Sequence, residues 1–165
     1  MLTEKKDTVV IRPCGVDDES FIRSCQDEDE FRKTIGDLPL EYKSCSILKC
    51  SDSRVGCAVI TPLDMFGVRY VAVSVFILRR YRLLSAIAIR LVLNKAAETN
   101  PKPEKIMFLV YDDNLPCIAL MHHFGIECAA EVPRVCYRND RYVGVRYYFF
   151  PLDGKRYFSE SLECQ

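Results

Sequence analysis

The sequence lacks several features that would assign a protein to a functional class at once. Lysine plus arginine equals aspartate plus glutamate, at 23 each, so no overall field indicates nucleic acid or an anionic membrane as partner. The nine cysteines include no Cys-x-x-Cys pair, which argues against a zinc site despite the adjacent His122 and His123. The longest nearly continuous apolar run, residues 70–78, is far shorter than the roughly 20 residues that span a bilayer. With no charged-then-apolar leader either, a cytoplasmic protein without metal is expected.

What is present is typical of one globular domain. The 165 residues, 49% hydrophobic and 28% charged, suffice for one sizeable core. We therefore predict a single domain over residues 1–165, with its core at 8–150 and a polar tail at 151–165. No repeats or linkers interrupt it. The scattered cysteines are interpreted as small buried hydrophobic residues in a reducing compartment.

Residues 70–98 are the stretch around which the chain is organised. Between residues 71 and 78 every position is apolar or small, as expected for a strand covered on both faces. After a basic turn, apolar residues recur at helical spacing: Leu84, Ile87, Ala88, Leu91 and Val92. Arg79, Arg80 and Arg82 in the turn oppose the helix dipole, and a bound anion would compensate them. A solvated basic turn is the open alternative.

The remaining elements complete a mixed sheet. Strands are predicted at 8–13, 44–49, 56–62, 105–111, 127–138 and 141–150, and helices at 17–25, 31–35 and 118–124. Asp17 is the expected N-cap of the first helix, and Asn114 that of the last, which Gly125 ends. Three consecutive strands form an antiparallel meander, and the central helix makes a parallel crossover. The acidic stretch 27–30 is interpreted as a solvated helix face rather than a site for a cationic substrate.

This order of elements and two motifs resemble the GNAT superfamily of acetyl-CoA-dependent N-acetyltransferases. The family binds the pyrophosphate of coenzyme A at a turn of the form Arg/Gln-x-x-Gly-x-Gly/Ala, and residues 82–87 occupy that place. Ser85 and Ile87 stand where the family has glycines. Shifting the alignment of the motif by one residue places Ala86 and Ala88 at these positions, but the first position of the motif is then no longer an arginine. The resemblance implies an α/β (α+β) fold with a mostly antiparallel sheet of six to seven strands and helices on both faces.

The family has a second motif, Asn-x-x-Ala followed by a tyrosine and then Gly-Phe. Five residues in and around the last predicted helix resemble it. These are Asn114, Cys117, Met121, Gly125 and Ile126. The resemblance implies acetyl-CoA as the acyl donor. The residues expected to bind it are Phe76, Ile77, Leu78, Arg82, Leu83, Leu84, Ser85, Ala86, Ile87 and Asn114.

The catalytic residues remain unassigned by this comparison. Met121 stands where the family commonly has a tyrosine that protonates the leaving thiolate, and a thioether cannot donate a proton. His122, the next residue, is a weak candidate because it lies on another side of the helix. The central strand carries no acid for the role of base, and Ser74 is its only hydroxyl besides Tyr70. Proximity and a backbone N–H near residues 76–78 would still sustain slow acyl transfer.

Two functions from different classes follow. The first is an acetyl-CoA-dependent N-acyltransferase whose acceptor is a primary amine on a small molecule or peptide. The second is a catalytically degenerate GNAT-fold protein that binds coenzyme A or regulates a partner. Binding of RNA or a phosphorylated ligand by the arginine turn is a weaker third hypothesis, because no exposed aromatics interleave with the cations.

The last predicted hairpin is rich in aromatic residues. They are Tyr137, Tyr142, Tyr147, Tyr148, Phe149 and Phe150. Alternating strand core is the favoured interpretation, and an acceptor pocket or the seam of a homodimer is the alternative.

Overall fold

The computed structural model describes residues 8–35, 45–65 and 67–152. Within those ranges the chain forms seven strands, four α-helices and two 3-10 segments. The elements are β1 (Val9–Pro13), α1 (Glu19–Gln26), α2 (Asp29–Ile35), β2 (Cys45–Cys50), β3 (Ser53–Met65), β4 (Val68–Ile77), α3 (Ser85–Ala97), β5 (Lys105–Tyr111), α4 (Leu115–His123), β6 (Cys128–Arg138) and β7 (Arg141–Pro151), with 3-10 segments at Val16–Asp18 and Arg79–Leu84. Across this described part of the chain, no helix combines the length and apolar character that crossing a membrane requires.

The seven strands form one sheet in the order β1-β2-β3-β4-β5-β7-β6. Neighbours are antiparallel except β4 and β5, which are parallel, so the predicted mixed sheet, the meander and the crossover are confirmed. β4 pairs with β5 only through residues 70–73 and 105–108. Both strands then continue unpaired with each other, β4 to Ile77 and β5 to Tyr111. The sheet therefore opens between them.

Helices cover both faces of the sheet. On one face, α3 and α4 pack over the larger core, in which Val73 of β4 is buried together with Val92 of α3 and Met121 of α4. On the other face, α1 and α2 pack over a smaller core, in which Phe31 of α2 meets Phe76 of β4 edge to face at 5.1 Å between ring centroids. Alternation along β4 thus sends neighbouring side chains into different cores.

The start of α1 differs from the prediction. Asp17 does not cap it: a 3-10 turn precedes the helix, which begins at Glu19. Asp18 is buried and accepts hydrogen bonds from Arg12 at 2.6 Å and Arg54 at 2.7 Å. Two guanidinium partners, from β1 and β3, offset the cost of burying the carboxylate, and sequence spacing cannot reveal them.

The basic turn and the helix after it also differ from the prediction. The arginines form the 3-10 segment 79–84, kinked at Tyr81, and α3 starts only at Ser85. The buried face of α3 comprises Ala88, Ile89, Val92, Leu93 and Ala96. Of the predicted stripe, Ala88 and Val92 are buried, and Leu84, Ile87 and Leu91 are partly buried against the same core. Ile89, Leu93 and Ala96 are buried as well, because α3 is apolar on most sides and its spacing does not define one narrow face.

The ends of β2 and β3 differ less from their predicted positions. The β2–β3 turn is shorter than predicted, with Ser53 and Arg54 already in β3, and β3 extends to Met65. Beyond residue 152, the predicted polar tail lies outside the described residues.

Local signals at α4 and the last hairpin are confirmed. The side chain of Asn114 accepts a hydrogen bond from the Cys117 N–H at 3.3 Å, which caps the helix. Gly125, at φ +67°, ends it in the left-handed conformation that glycine favours. Asn139 and Asp140 both have positive φ, as a tight two-residue hairpin turn requires.

A cleft through the sheet as candidate functional site

A cleft of about 560 Å³ lies where β4 and β5 part. Its lining residues come from β4, from helices on both faces and from the segment before α4. They are Lys33, Thr34, Val75, Phe76, Ile77, Arg82, Ser85, Ile89, Asp113, Asn114, Pro116, Cys117, Ala119, Leu120 and His123. Because α2 lies on one face and α3 and α4 on the other, residues from both sides of the sheet line the cleft.

The end of β4 supplies main-chain donors to the cleft. The Leu78 N–H donates to the carbonyl of Val55 on β3 at 2.9 Å. Because successive residues of a strand point their N–H groups to opposite sides, the amides of Val75 and Ile77 face away from β3. They therefore point into the gap, at the part of β4 that β5 does not pair.

The start of α3 forms a second wall. Leu78 precedes the 3-10 segment and Leu84 precedes α3, and neither side chain can cap a helix, so neither start has a side-chain cap. Arg82 and Ser85 line the cleft beside these starts. The Ser85 N–H already donates to the Arg82 carbonyl, so the other first-turn amides of α3 and the helix dipole are what favours negative charge here.

α4 forms the third wall. Pro116, Ala119, Leu120 and His123 line the cleft and follow the spacing i, i+3, i+4, i+7 of one helix face. Asn114 also lines it and donates from Nδ2 to the Thr34 hydroxyl at 3.4 Å. This contact ties the end of α2 to the start of α4 across the cleft.

Half of the residues predicted to bind the cofactor meet in this cleft. Phe76, Ile77, Arg82, Ser85 and Asn114 line it. The other five, Leu78, Leu83, Leu84, Ala86 and Ile87, do not.

Those five residues lie in several environments. Leu83 is 99% exposed. Leu78 packs on the smaller core, while Leu84 and Ile87 pack on the larger one. Ile87, which replaces a family glycine, therefore leaves the cleft open.

The catalytic candidates from the sequence lie outside the cleft lining. Met121 is fully buried in the larger core. His122 is exposed, and Ser74 is half-buried next to the lining residue Val75. The neighbouring His123 lines the cleft instead, and the helical spacing from Pro116 would have indicated it. Lys33, which also lines the cleft, carried no such signal because it lies far away in the chain.

Among the described lining residues, five have titratable side chains: Lys33, Arg82, Asp113, Cys117 and His123. Burial raises the pKa of Cys117 to about 11, so its thiol is protonated at neutral pH. Arg82 and Asp113 both interact with other groups of the protein. Throughout the ranges that the structure describes, no cluster of three His, Cys, Asp or Glu side chains is placed to hold a metal ion.

No protein-family model matches the sequence, and no curated protein matches it either. Solved structures do match. A spermidine N-acetyltransferase from Vibrio cholerae, in complex with CoA and spermine, superposes with a TM-score of 0.74 at 13% identity, over 87% of this chain and 95% of that chain. A GNAT-family acetyltransferase from Bacillus anthracis gives 0.70 at 13% identity, over 88% and 96%. One from Streptococcus pneumoniae gives 0.68 at 16% identity, over 88% and 100%. At these identities the likeness establishes the fold, and the chain has the GNAT fold.

Proposed function

We propose that this protein is an acetyl-CoA-dependent N-acyltransferase that acts on a primary amine of a small molecule or peptide. The observation that carries the proposal is the start of α3, which has no side-chain cap and lies with Arg82 and Ser85 at a cleft between parted strands. The residues present fit the cofactor, because Ile87 turns away and the donors are not covered by side-chain caps. The Vibrio cholerae structural neighbour, solved with CoA and spermine, supports the same assignment.

Each part of the site has a proposed task. The amides at the helix starts, with Arg82, hold the diphosphate. Acetyl-CoA, when bound, supplies an acyl group activated as a thioester. The N–H groups of Val75 and Ile77 are free to donate to the oxygen of the acyl carbonyl and to stabilise negative charge that develops there. We assign the acceptor to the α2 side of the cleft and the donor to the α3 side, since residues from both faces of the sheet line it.

Proton handling is assigned to two side chains of α4. The amine must lose a proton as its nitrogen bonds to the acyl carbon, and the departing sulfur must gain one as the carbon–sulfur bond breaks. We assign the first proton to the imidazole of His123, because it lines the cleft and a neutral imidazole nitrogen can accept a proton. The thiol of Cys117 donates the second, a role that Met121 cannot fill.

Calorimetric titration with acetyl-CoA tests cofactor binding. We expect Arg82→Ala to weaken binding about tenfold, because a charge-assisted hydrogen bond to a phosphate is lost. Arg79→Ala is the matched control, since Arg79 is exposed and does not line the cleft. Absence of binding at millimolar acetyl-CoA, or equal losses in both variants, would refute the proposed site.

The second candidate is a protein of the same fold that binds coenzyme A without turnover. The burial of Met121 in the core favours it, because the tyrosine role is empty at that position. Release of free thiol across a panel of primary amines decides between the two. Cofactor binding without thiol release would favour the second candidate.

We further propose a cytoplasmic location and a homodimer formed through the β6–β7 hairpin. Tyr137 and Tyr142 on it are exposed and contact each other edge to face at 5.1 Å between ring centroids. Light scattering on the intact chain would test the dimer, and Tyr142→Ser should favour the monomer if the hairpin forms the seam.

A further inference from the structure

The fixed charges of the cleft are unevenly placed. Arg82 lies at the start of α3, where the proposed function uses it for the diphosphate. Lys33 lies on α2, on the opposite face of the sheet. Asp113 is the single acid among the described lining residues, and it already interacts with other groups of the protein. A substrate bound on the α2 side of the cleft therefore lies near a cation.

Lys33 is held at the cleft by its neighbours on α2. Phe31 is buried against Phe76 of β4, and Thr34 accepts a hydrogen bond from Asn114. These contacts on either side of Lys33 fix the last turn of α2 against the cleft.

Lys33 is a half-buried residue that lines the cleft. Among the described residues it makes no hydrogen bond and no ion pair. A cation that lines a cleft and has no ion-pair partner there would attract an anion from outside the protein.

We propose that the acceptor is an amine that also bears a carboxylate, and that Lys33 binds this carboxylate while the amine faces the acyl group. The inference rests on the proposed function and narrows its substrate class. A polyamine such as the spermine bound by the Vibrio cholerae neighbour would place its second cation next to Lys33, where like charges repel. The two proteins share a fold and differ, on this view, in the charge of the acceptor.

Matched acceptors test the proposal. Glycylglycine and its C-terminal amide differ only in the carboxylate, and spermidine represents the polyamines. For the wild-type protein we expect kcat/KM to favour the carboxylate over the amide by about tenfold, as for a hydrogen bond to a charged group. Lys33→Gln should abolish this preference while leaving the affinity for acetyl-CoA unchanged. Lys33→Glu should shift the preference towards spermidine.

Lys95→Gln is the control, because Lys95 is an exposed lysine of α3 outside the cleft. Equal kcat/KM for the acid and the amide, or a wild-type preference for spermidine, would overturn the inference while the acyltransferase function stands. Weaker acetyl-CoA binding by Lys33→Gln with an unchanged acceptor preference would overturn it too, by assigning the lysine to the cofactor. Failure of the wild-type protein to bind acetyl-CoA would remove both proposals, and calorimetry detects that case separately.

Discussion

Asp18 is the one charged side chain that the structure buries among the residues it describes, and its exposed fraction is 1%. The hydrogen bond from Arg12 is the main cause that holds the pKa of its carboxyl well below the usual range, and the Gly15 N–H and Arg54 add to the effect. The carboxylate therefore stabilises the folded chain. It joins β1, β3 and the turn before α1 at one point.

We expect Asp18→Asn to lower the free energy of unfolding by about 2 to 4 kcal/mol at pH 7, because two guanidinium groups lose their shared partner. A group with a depressed folded-state pKa contributes stability that is fully present above its unfolded value, near 4, and is lost as the pH falls further. The deficit of the variant should therefore shrink from pH 4 downward. Urea unfolding at pH 7 and in this acid range measures it.

Asp17→Asn is the control for this prediction. Asp17 is exposed, and only its backbone carbonyl accepts a hydrogen bond from Arg54. The variant should unfold like the wild type at both pH values. A deficit in the unfolding free energy of Asp18→Asn that stayed constant into acid would show that the loss does not depend on the negative charge of the carboxylate.

Cys117 is the second residue whose environment sets its chemistry. Because burial raises the pKa of its thiol to about 11, Cys117 remains a proton donor across the neutral and mildly alkaline range. We expect Cys117→Ala to lower kcat by up to about a hundredfold, a typical contribution of a general acid. Cys117→Ser should retain part of the rate, since a hydroxyl also donates.

The pH dependence adds a second measurement for Cys117. Wild-type kcat should show no loss from this donor until the pH approaches about 11, where the thiol ionises. Cys136→Ala is the control, because Cys136 is a half-buried cysteine outside the cleft. Equal kcat for the wild type and all these variants would mean that water, rather than Cys117, protonates the leaving thiolate.

At the scale of elements, the close approach of β3 to β4 shapes the cleft wall. A Cβ added to Gly56 would collide with the main-chain carbonyl of Phe76 and would also meet the side chain of Ile77. Both residues line the cleft. We expect Gly56→Ala to destabilise the fold by about 1 to 3 kcal/mol, as overpacking does, and to weaken acetyl-CoA binding because β4 must shift.

Thermal unfolding and calorimetry on the same sample measure both effects of Gly56→Ala. In Gly15→Ala, the control, the added Cβ would lie an ordinary 3.7 Å from the Asp18 carboxylate. Destabilisation by Gly56→Ala with unchanged cofactor binding would separate the packing of β3 from the shape of the cleft.

The elements that the sequence could predict are those with strong local signals. β5 is one apolar run, α4 has Asn114 as cap and Gly125 as stop, and the last hairpin has Asn139 and Asp140 at its turn. Each signal acts within a few residues, so spacing alone suffices.

The features that the sequence could not predict are set by tertiary contacts. The partners of Asp18 lie on two strands, and the buried face of α3 depends on how it packs on the sheet. Lys33 and His123 meet in one cleft because the helices that carry them flank the same gap between strands. The periodicity of apolar residues in the sequence carries no information about such long-range contacts.

At the scale of the whole molecule, the sheet consists of two antiparallel halves, β1 to β4 and β5-β7-β6. Four residue pairs between β4 and β5 join them directly. Beyond these pairs the halves separate, and the Thr34–Asn114 hydrogen bond links helices on either side of the gap. A ligand in the cleft would therefore contact both halves and act as an additional link between them.

We expect acetyl-CoA to slow amide hydrogen exchange on both sides of the gap, at residues 75–77 of β4 and at residues 115–120 of α4, because bridging both walls opposes their opening. Arg82→Ala should lose this protection at the same ligand concentration, whereas Arg79→Ala should keep it. Protection confined to one wall would mean that the ligand rests on the surface of that half. Protection of both walls in the wild type and of neither in Arg82→Ala would require a ligand that is anchored at the start of α3 and extends through the parted sheet.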